Sequence, residues 1–209
     1  MYIACLDLEG VLVPEIWIGV AERAGIDDLM LTTRDIPDYD ELMHRRLALL
    51  ERHGLGMADI QEVIATLEPL PGAVEFVEWL RARAQLIILS DTFYEFAEPL
   101  MRQLGWPTLF CHRLEIDDRG RVTGYRLRQR DPKRQAVLGL QALNFPVVAA
   151  GDSYNDLSML AQADAGILFC PPPSLAEAHP QLPVAGDHER LREAFRQAEQ
   201  GLALSVPRP

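Results

Sequence analysis

Four short apolar runs along the chain have the character of strands that are buried on both faces. They lie at residues 2–6 (YIACL), 86–89 (LIIL), 147–150 (VVAA) and 166–169 (GILF). None of them alternates between apolar and polar positions, as a strand with one solvated face would. We therefore expect a parallel sheet that has both of its faces covered.

Amphipathic stretches of helical length separate these runs. They span residues 73–83, 94–104 and 133–143, with Gly105 placed to end the second and Pro132 placed to open the third. Strands that alternate with helices along the chain are typical of an α/β fold. The pattern predicts a doubly wound, mostly parallel sheet with helices on both faces.

The segment from 14 to 71 interrupts that alternation. Its three amphipathic stretches have helical periodicity, glycines Gly25 and Gly54 stand at predicted helix ends, and no strand pattern separates them. We expect these residues to form a helical cap, or lid, inserted into an α/β core. The core would then consist of residues 1–13 and 72–209.

A second addition to the core is predicted at residues 113–128. Two strand-like runs flank an Asp-Asp-Arg-Gly turn there, which indicates a β-hairpin. Because exposed edge strands can pair between subunits, the hairpin also suggests a homodimer.

Composition and charge narrow the function classes. The chain has 209 residues, 48% of them hydrophobic, and lacks both a signal-type N-terminus and the run of about 18 apolar residues that a membrane span needs. A net charge of -11 argues against nucleic acid or an anionic membrane as partner. Three widely spaced cysteines, Cys5, Cys111 and Cys170, indicate packed thiols in a reducing cytoplasm. We expect a cytoplasmic protein with a small-molecule ligand.

Two acids directly follow the first apolar run. Ligands of open α/β sheets bind beyond the carboxyl ends of the strands, which is where Asp7 and Glu9 lie. Residues two apart in an extended chain project to the same side, so both carboxylates would converge on one site. A solvated loop acid and a helix-capping acid would explain the pair equally well.

Ser90 and Lys133 occupy comparable positions. Ser90 is the first residue beyond the second apolar run, where its hydroxyl would bond a ligand oxygen or cap the next helix. Lys133 stands in a first helical turn, where a cation opposes the helix dipole unless an anion is near. An exposed lysine is the simpler explanation of that position, and both remain open.

Another pair of acids follows the run at 147–150. Asp152 and Asp156 lie in the segment GDSYND, at a spacing that stacks side chains on one helical face. Acids in a first helical turn also complement the helix dipole without any ligand. Oxygen ligands from Asp7 and Asp152 would nevertheless suit Mg2+, which takes few carboxylates and keeps several waters.

The ordered set of these motifs resembles the haloacid dehalogenase superfamily of phosphatases. Its four motifs match DLEGV, LSD, DPK and GDSYND in this chain, in that order. The resemblance covers about 1–13 and 72–170, whereas the last forty residues contribute little to it. It implies a Rossmann-like core, and a helical lid directly after the first motif is similar to the branch that includes phosphoserine phosphatases.

The resemblance implies a role for each motif residue. Asp7 would be the nucleophile that forms an aspartyl-phosphate, and Glu9 would be the general acid and base. Mg2+ would be held by Asp7, Asp152 and the backbone carbonyl of Glu9, with Asp156 orienting the site. Ser90 and Lys133 would bind the phosphoryl oxygens and stabilise their charge, and Lys133 would thereby also be catalytic. Asp91 and Asn155 would belong to the substrate-binding residues as well.

Two residues of the predicted lid point to an amino-acid substrate by the same resemblance. Arg46 matches an arginine that binds the carboxylate of phosphoserine, and Glu15 approximately matches a glutamate that binds the ammonium group. A solvated cation beside Arg45 and a favourable first-turn acid are the alternative explanations.

The chain departs from the phosphatase pattern at position 9, where the family has aspartate. An extra methylene moves the carboxyl group by about an ångström, and catalytic geometry tolerates little displacement. We therefore expect slower hydrolysis of the phosphoenzyme and transfer of its phosphoryl group to an alcohol such as homoserine.

Four other readings remain alternatives. A sugar phosphate would replace phosphoserine as substrate within the same superfamily. Metal-free dehalogenation would leave Glu9, Asp152 and Asp156 without a task. A phosphate-sensing receiver domain has no helical lid after its first acids, and a silent scaffold would not need every reactive side chain.

Overall fold

A seven-stranded sheet forms the centre of the computed structural model, which describes residues 1–32, 35–36 and 38–205. Its strands stand in the order β4-β3-β2-β1-β5-β6-β7, and all neighbouring pairs are parallel except β3 with β4. The predicted doubly wound, mostly parallel sheet is confirmed. The strands are β1 (Ile3–Leu6), β2 (Gln85–Phe93), β3 (Thr108–Ile116), β4 (Val122–Arg126), β5 (Val147–Gly151), β6 (Ala165–Phe169) and β7 (Val184–Ala185).

Helices cover both faces of this sheet. One apolar cluster joins α4, α5 and α9 to one face, and a second joins α6, α7 and α8 to the other. Successive residues of β1 alternate between the two clusters, which is why the run lacks a polar side. The helices are α1 (Ile16–Ala24), α2 (Tyr39–His53), α3 (Met57–Ile64), α4 (Ala73–Arg81), α5 (Tyr94–Gln103), α6 (Pro132–Ala142), α7 (Leu157–Gln162), α8 (Pro173–Ala178) and α9 (His188–Ser205).

The insertion between β1 and α4 is helical in its described residues. It contains α1, α2, α3 and a short 3-10 turn at Asp27–Met30. The helices rest on the core through apolar contacts, among them an edge-on packing of Trp17 against Phe96 with ring centroids 5.2 Å apart. The division into a core and a separate cap at 14–71 stays a prediction.

The hairpin at 113–128 belongs to the central sheet. Its first strand, β3, already begins at Thr108, where it pairs in parallel with β2 before it turns to pair antiparallel with β4. The turn of the hairpin also reaches α3, because the N–H of Met57 donates to the carbonyl of Gly120 at 2.8 Å. The hairpin therefore links the sheet edge to the inserted helices, while the homodimer stays a prediction.

The C-terminal residues connect the two ends of the inserted segment. His188, at the start of α9, is 5% exposed, and its Nδ1 and Nε2 atoms lie 2.8 and 2.9 Å from the carbonyl oxygens of Pro71 and Val11. Val11 precedes the inserted segment, and Pro71 is the last residue of that segment. Although the last forty residues contribute little to the family resemblance, they hold both crossings between sheet and insertion together.

We predict that His188→Leu destabilises the protein by about 1–3 kcal/mol, because a buried carbonyl loses its hydrogen-bond donor. Urea unfolding followed by circular dichroism measures the change. His53→Leu is the control, since His53 is exposed at the end of α2. Equal unfolding midpoints for the two variants would contradict the role given to His188.

The structure also tests the expectations that the three cysteines are packed and that the chain has no membrane-spanning helix. Cys5 and Cys111 are buried thiols as predicted, but the prediction is wrong for Cys170, which is exposed because it lies just beyond the end of β6 and outside both apolar clusters. Within the described residues, no helix combines the length and apolar character that a membrane crossing requires.

Candidate active site

The predicted motif residues meet at one edge of the sheet. Asp7 follows β1, Ser90 and Asp91 lie towards the end of β2, and Asp152 follows β5. These three strands are adjacent and parallel, in the order β2-β1-β5. Their carboxyl ends therefore deliver the four side chains to the same crevice.

Three buried acids stand close together in this crevice. Asp7, Asp152 and Asp156 each offer a carboxylate oxygen, and these oxygens lie within 4.8 Å of one another. Burial and the neighbouring carboxylate of Asp156 raise the pKa of Asp7 well above its usual range and that of Asp152 to about 7. Such a group of like charges needs cations to remain ionised.

Two glycines permit this close approach. A Cβ atom at Gly10 would meet the Asp152 carboxyl group at 2.5 Å, and one at Gly151 would collide with the Asp156 side chain. Gly10 also has a left-handed conformation, φ 77°, which a side chain would strain. The glycines beside the acids therefore make room for the carboxylates.

Asp156 is held by hydrogen bonds on both of its oxygens. One oxygen accepts from the backbone N–H groups of Asp152 and Ser153 at 3.0 and 3.1 Å, and the other accepts from Lys133 Nζ at 2.7 Å. The side chain is fully buried. This geometry suits a residue that orients its neighbours.

Lys133 is the cation at the centre of the acids. Its Nζ atom lies 2.7 Å from Asp156, 2.9 Å from Asp7 and 3.7 Å from Asp91, and the residue is 3% exposed. Burial alone would lower the pKa of Lys133, but the carboxylates of Asp156, Asp7 and Asp91 outweigh it and raise that pKa well above its usual range. The alternative of an exposed lysine is wrong.

The Glu9 side chain lies outside the group of three acids. Its carboxylate accepts from the backbone N–H of Ile16 at 2.8 Å, at the start of α1. Burial, and then the charge of Glu15, raise the pKa of Glu9 to about 7. Hydrogen bonds from the N–H of Ile16 and the hydroxyl of Thr92 oppose this rise, because they stabilise the ionised carboxylate. Glu9 is therefore directed towards the inserted helices.

Arg46 is buried between α2 and α1. Its guanidinium carbon lies 4.6 Å from the centroid of the Trp17 ring, and its Nη2 atom donates to the Leu31 carbonyl at 2.8 Å. The Nε atom is buried and has no hydrogen-bond partner among the described residues. Burial lowers the pKa of Arg46 to about 10, and the charge of Glu9 is the largest opposing effect. The alternative of a solvated cation is wrong.

Glu15 immediately precedes α1 and is exposed. Its charge raises the pKa of both Glu9 and Asp152, so the Glu15 carboxylate acts electrostatically on two acids of the site. Its side chain makes no capping hydrogen bond to α1, so the structure does not explain this acid as a helix cap.

The motif on β2 forms a hydrogen-bonded platform. Ser90 is buried and its Oγ accepts from the N–H of Thr92 at 3.2 Å, so it does not cap α5. Asn155 Nδ2 donates to Asp91 at 2.9 Å. Burial alone would raise the pKa of Asp91, but Lys133 and then His112 outweigh it and hold that pKa well below its usual range.

The sequence pattern does not indicate the polar contacts that three further residues make at this site. Thr92 bonds Glu9, the Tyr39 hydroxyl donates to the Asp91 carbonyl at 3.2 Å, and His112 faces the Asp91 carboxylate. Tyr39 and His112 reach the site from α2 and β3, far along the chain from Asp91. The motif spacing contains no signal for either of them.

A family model described as a haloacid dehalogenase-like hydrolase matches residues 4–164. The chain belongs to this family of hydrolases. The resemblance found in the four motifs is confirmed, and the matched span includes all four of them.

Two bacterial relatives of this hydrolase are similar over nearly its whole length. Phosphoserine phosphatase ThrH of Pseudomonas aeruginosa is 64% identical over 198 residues, which cover 95% of this chain and 97% of the relative. A phosphoserine phosphatase of Pseudomonas syringae pv. tomato is 62% identical over 196 residues, which cover 94% of this chain and 83% of the relative.

Solved structures of phosphoserine phosphatases have the same fold. An apo form superposes with a TM-score of 0.75 at 23% identity, covering 93% of this chain and 98% of the other. An analogue of a phospho-aspartyl intermediate gives a TM-score of 0.75 at 23% identity, with 94% and 98% covered. At this identity the likeness establishes the fold of the hydrolase.

Proposed function

We propose that this hydrolase cleaves L-phosphoserine through an aspartyl-phosphate on Asp7, with Mg2+ as cofactor. The observation that carries the proposal is the buried Asp7 carboxylate, which contacts Lys133 at 2.9 Å and shares a crevice with Asp152 and Asp156. A 64% identical relative that is named a phosphoserine phosphatase supports the choice of substrate.

Each half of the reaction uses Asp7 and Glu9. In the first half an Asp7 oxygen bonds to phosphorus, the bond from phosphorus to the serine oxygen breaks, and Glu9 protonates the departing alkoxide. In the second half Glu9 takes a proton from water, the water oxygen bonds to phosphorus, and Asp7 is released with inorganic phosphate. Lys133 and the Ser90 hydroxyl bind the phosphoryl oxygens throughout.

The donor set of the crevice fits Mg2+. Carboxylate oxygens are its preferred protein ligands, and Asp7 and Asp152 lie together while Asp156 is engaged by Lys133 and backbone amides. Asp7, Asp152 and the backbone carbonyl of Glu9 would hold the ion. When bound, Mg2+ supplies positive charge that balances the acids and the phosphoryl oxygens.

The inserted helices would recognise the serine part of the substrate. Arg46 is a buried cation whose Nε atom has no hydrogen-bond partner among the described residues, and a substrate carboxylate would supply an acceptor. Glu15 is an exposed acid at the same crevice, where it would bind the ammonium group. We assign residues 14–71 as a lid that encloses the substrate and excludes water.

We predict that Arg46→Met raises KM for phosphoserine about 10- to 100-fold, because a charge-assisted hydrogen bond is lost. KM for phosphoethanolamine, which has no carboxylate, should stay near the wild-type value. Steady-state phosphate release measures both. Arg45→Met is the control, since Arg45 lies on the exposed face of α2 and pairs with Asp28. An equal rise in KM for both substrates would contradict the proposal that Arg46 binds the substrate carboxylate.

We also propose transfer of the phosphoryl group to homoserine. The Glu9 carboxylate accepts a hydrogen bond from the first N–H of α1. Its side chain, which is longer than that of aspartate, is therefore held by the lid and does not lie free beside Asp7. A water molecule is then activated less well than where the family has aspartate, and the phosphoenzyme persists for an alcohol to accept its phosphoryl group.

We predict that Glu9→Asp lowers the ratio of O-phosphohomoserine to inorganic phosphate by about tenfold. The shorter acid would favour water as the acceptor. The ratio is measured with phosphoserine as donor and homoserine added at a fixed concentration. Glu22→Asp, on the exposed side of α1, should leave it unchanged. An unchanged ratio in Glu9→Asp would contradict the explanation for transfer.

A substrate panel tests the proposed function as a whole. Phosphate release is measured from L-phosphoserine, phosphoethanolamine and glucose 6-phosphate, with Mg2+ and with EDTA. We expect phosphoserine to be preferred, EDTA to abolish release and added Mg2+ to restore it. Preference for the sugar phosphate would contradict phosphoserine as the substrate, and phosphate release that persists in EDTA would contradict Mg2+ as the cofactor.

A further inference from the structure

His112 is a buried side chain beside the crevice that has no part in the reaction proposed above. It lies on β3, is 3% exposed, and pairs in register with Phe93 of β2. Its Nδ1 atom accepts from the backbone N–H of Arg128 at 3.1 Å, and its Nε2 atom lies 3.4 Å from Asp91 Oδ1. Because a backbone N–H can only donate, Nδ1 is an acceptor and Nε2 carries the ring hydrogen.

Neighbouring rings fix the orientation of this imidazole. Phe93 packs on it with ring centroids 6.2 Å apart, and Tyr39 packs edge-on at 6.4 Å. The hydroxyl of Tyr39 also donates to the Asp91 carbonyl. A rotated His112 would lose both the Arg128 N–H and Asp91, so the buried ring is directed at the carboxylate.

Asp91 is a fourth acid near Lys133, and its position matters for the other three. Lys133 Nζ lies 2.7 Å from Asp156 and 2.9 Å from Asp7, but 3.7 Å from Asp91. Asn155 donates to the Asp91 oxygen that faces Lys133, and His112 faces the other oxygen. A freely rotating Asp91 carboxylate would compete with Asp7 for the ammonium group and repel a phosphoryl group.

We propose that His112 is a positioning residue for phosphoryl transfer, because its Nε2–H group holds the Asp91 carboxylate so that Lys133 stays on Asp7 and Asp156. The inference rests on the proposed chemistry at Asp7 and extends it to a side chain on β3.

Two amide variants separate this role from simple packing. Glutamine places its NH2 group near the position of Nε2 and can still donate to Asp91. Asparagine places its oxygen near the position of Nδ1, so it can accept from Arg128 but does not reach Asp91. We expect His112→Asn to lower kcat about 10- to 100-fold with a smaller change in KM, and His112→Gln to stay within about threefold of wild type.

Two further measurements make the outcome decisive. In an Asp91→Asn background the carboxylate charge is absent, so His112→Asn should lower kcat by a much smaller factor than it does in wild type. The ring nitrogen shifts of wild-type His112 in a 1H–15N NMR spectrum should show hydrogen on Nε2. Hydrogen on Nδ1 would overturn the proposal even if His112→Asn failed to fold, and so would equal rates for the Asn and Gln variants.

Two substrates keep this test separate from the proposed function. Rates are measured with phosphoserine and with p-nitrophenyl phosphate. Wild-type activity on p-nitrophenyl phosphate alone would overturn the phosphoserine assignment, and the His112 variants would still be compared on the active substrate. Wild-type protein that turned over neither compound would overturn both proposals.

Discussion

Asp7→Asn should lower kcat for phosphoserine by at least about 10³-fold while the protein remains folded, because an amide oxygen does not replace the attacking carboxylate. Asparagine has nearly the same shape as aspartate and can keep the contact of Asp7 with the N–H of Leu8. Steady-state phosphate release and a urea unfolding curve measure the two parts of the prediction.

A matched control shows that the loss belongs to Asp7. Asp118→Asn makes the same chemical change in the exposed turn of the β3–β4 hairpin, and its turnover should equal that of wild type. Full turnover by Asp7→Asn would mean that the phosphoryl group does not pass through this carboxylate, whatever the other motif residues do.

Lys133→Met should destabilise the protein by about 3–5 kcal/mol in EDTA and remove its activity, because it leaves buried carboxylates without their ammonium partner. The contacts that would be lost are those at 2.7 Å to Asp156 and 2.9 Å to Asp7. Urea unfolding in EDTA isolates the effect of Lys133 from that of a bound cation.

Arg134→Met is the control for this second variant. Arg134 follows Lys133 on α6, but its side chain is 43% exposed and pairs with Asp131 at 3.7 Å, so its removal should change stability by less than about 1 kcal/mol. Added Mg2+ should restore part of the stability of Lys133→Met, since it binds the folded acids. Equal stability of the two variants would contradict the central position of Lys133.

The sheet and the first members of the site could be predicted because both follow from local patterns. Apolar runs without alternation identified β1, β2, β5 and β6, and the polar residues after them could be placed at one edge. Asp7 and Asp152 needed only that rule. Gly151 makes room for Asp156, which lies five residues further along the chain, whereas the space that Gly10 leaves for Asp152 depends on a contact between distant segments.

The rest of the site depends on contacts between distant segments. Burial of Arg46 depends on Trp17 of α1, and a lone arginine on an amphipathic helix does not indicate that contact. His112 lies on β3, which changes from parallel to antiparallel pairing along its length, and its partner Asp91 is on β2. A single histidine within a strand pattern indicates packing as readily as function.

The orientation of Glu9 shows a similar limit. Spacing two residues after Asp7 suggested that both acids would converge, but the Glu9 carboxylate is bound by the first N–H of α1. That contact has two requirements. The insertion must begin directly after the first motif, which can be read from the sequence. It must also fold back onto that motif, which the sequence pattern does not specify.

Chemical trapping of the phosphoenzyme shows whether the phosphoryl group passes through Asp7. The protein is mixed with phosphoserine and Mg2+, quenched, and treated with borohydride, which reduces an acyl phosphate to the alcohol. Mass spectrometry of the peptides then locates the reduced residue. We expect a homoserine residue at position 7 in wild type and none in Asp7→Asn. Reduction at another acid, or phosphate retained on Ser90 with Asp7 unmodified, would contradict it.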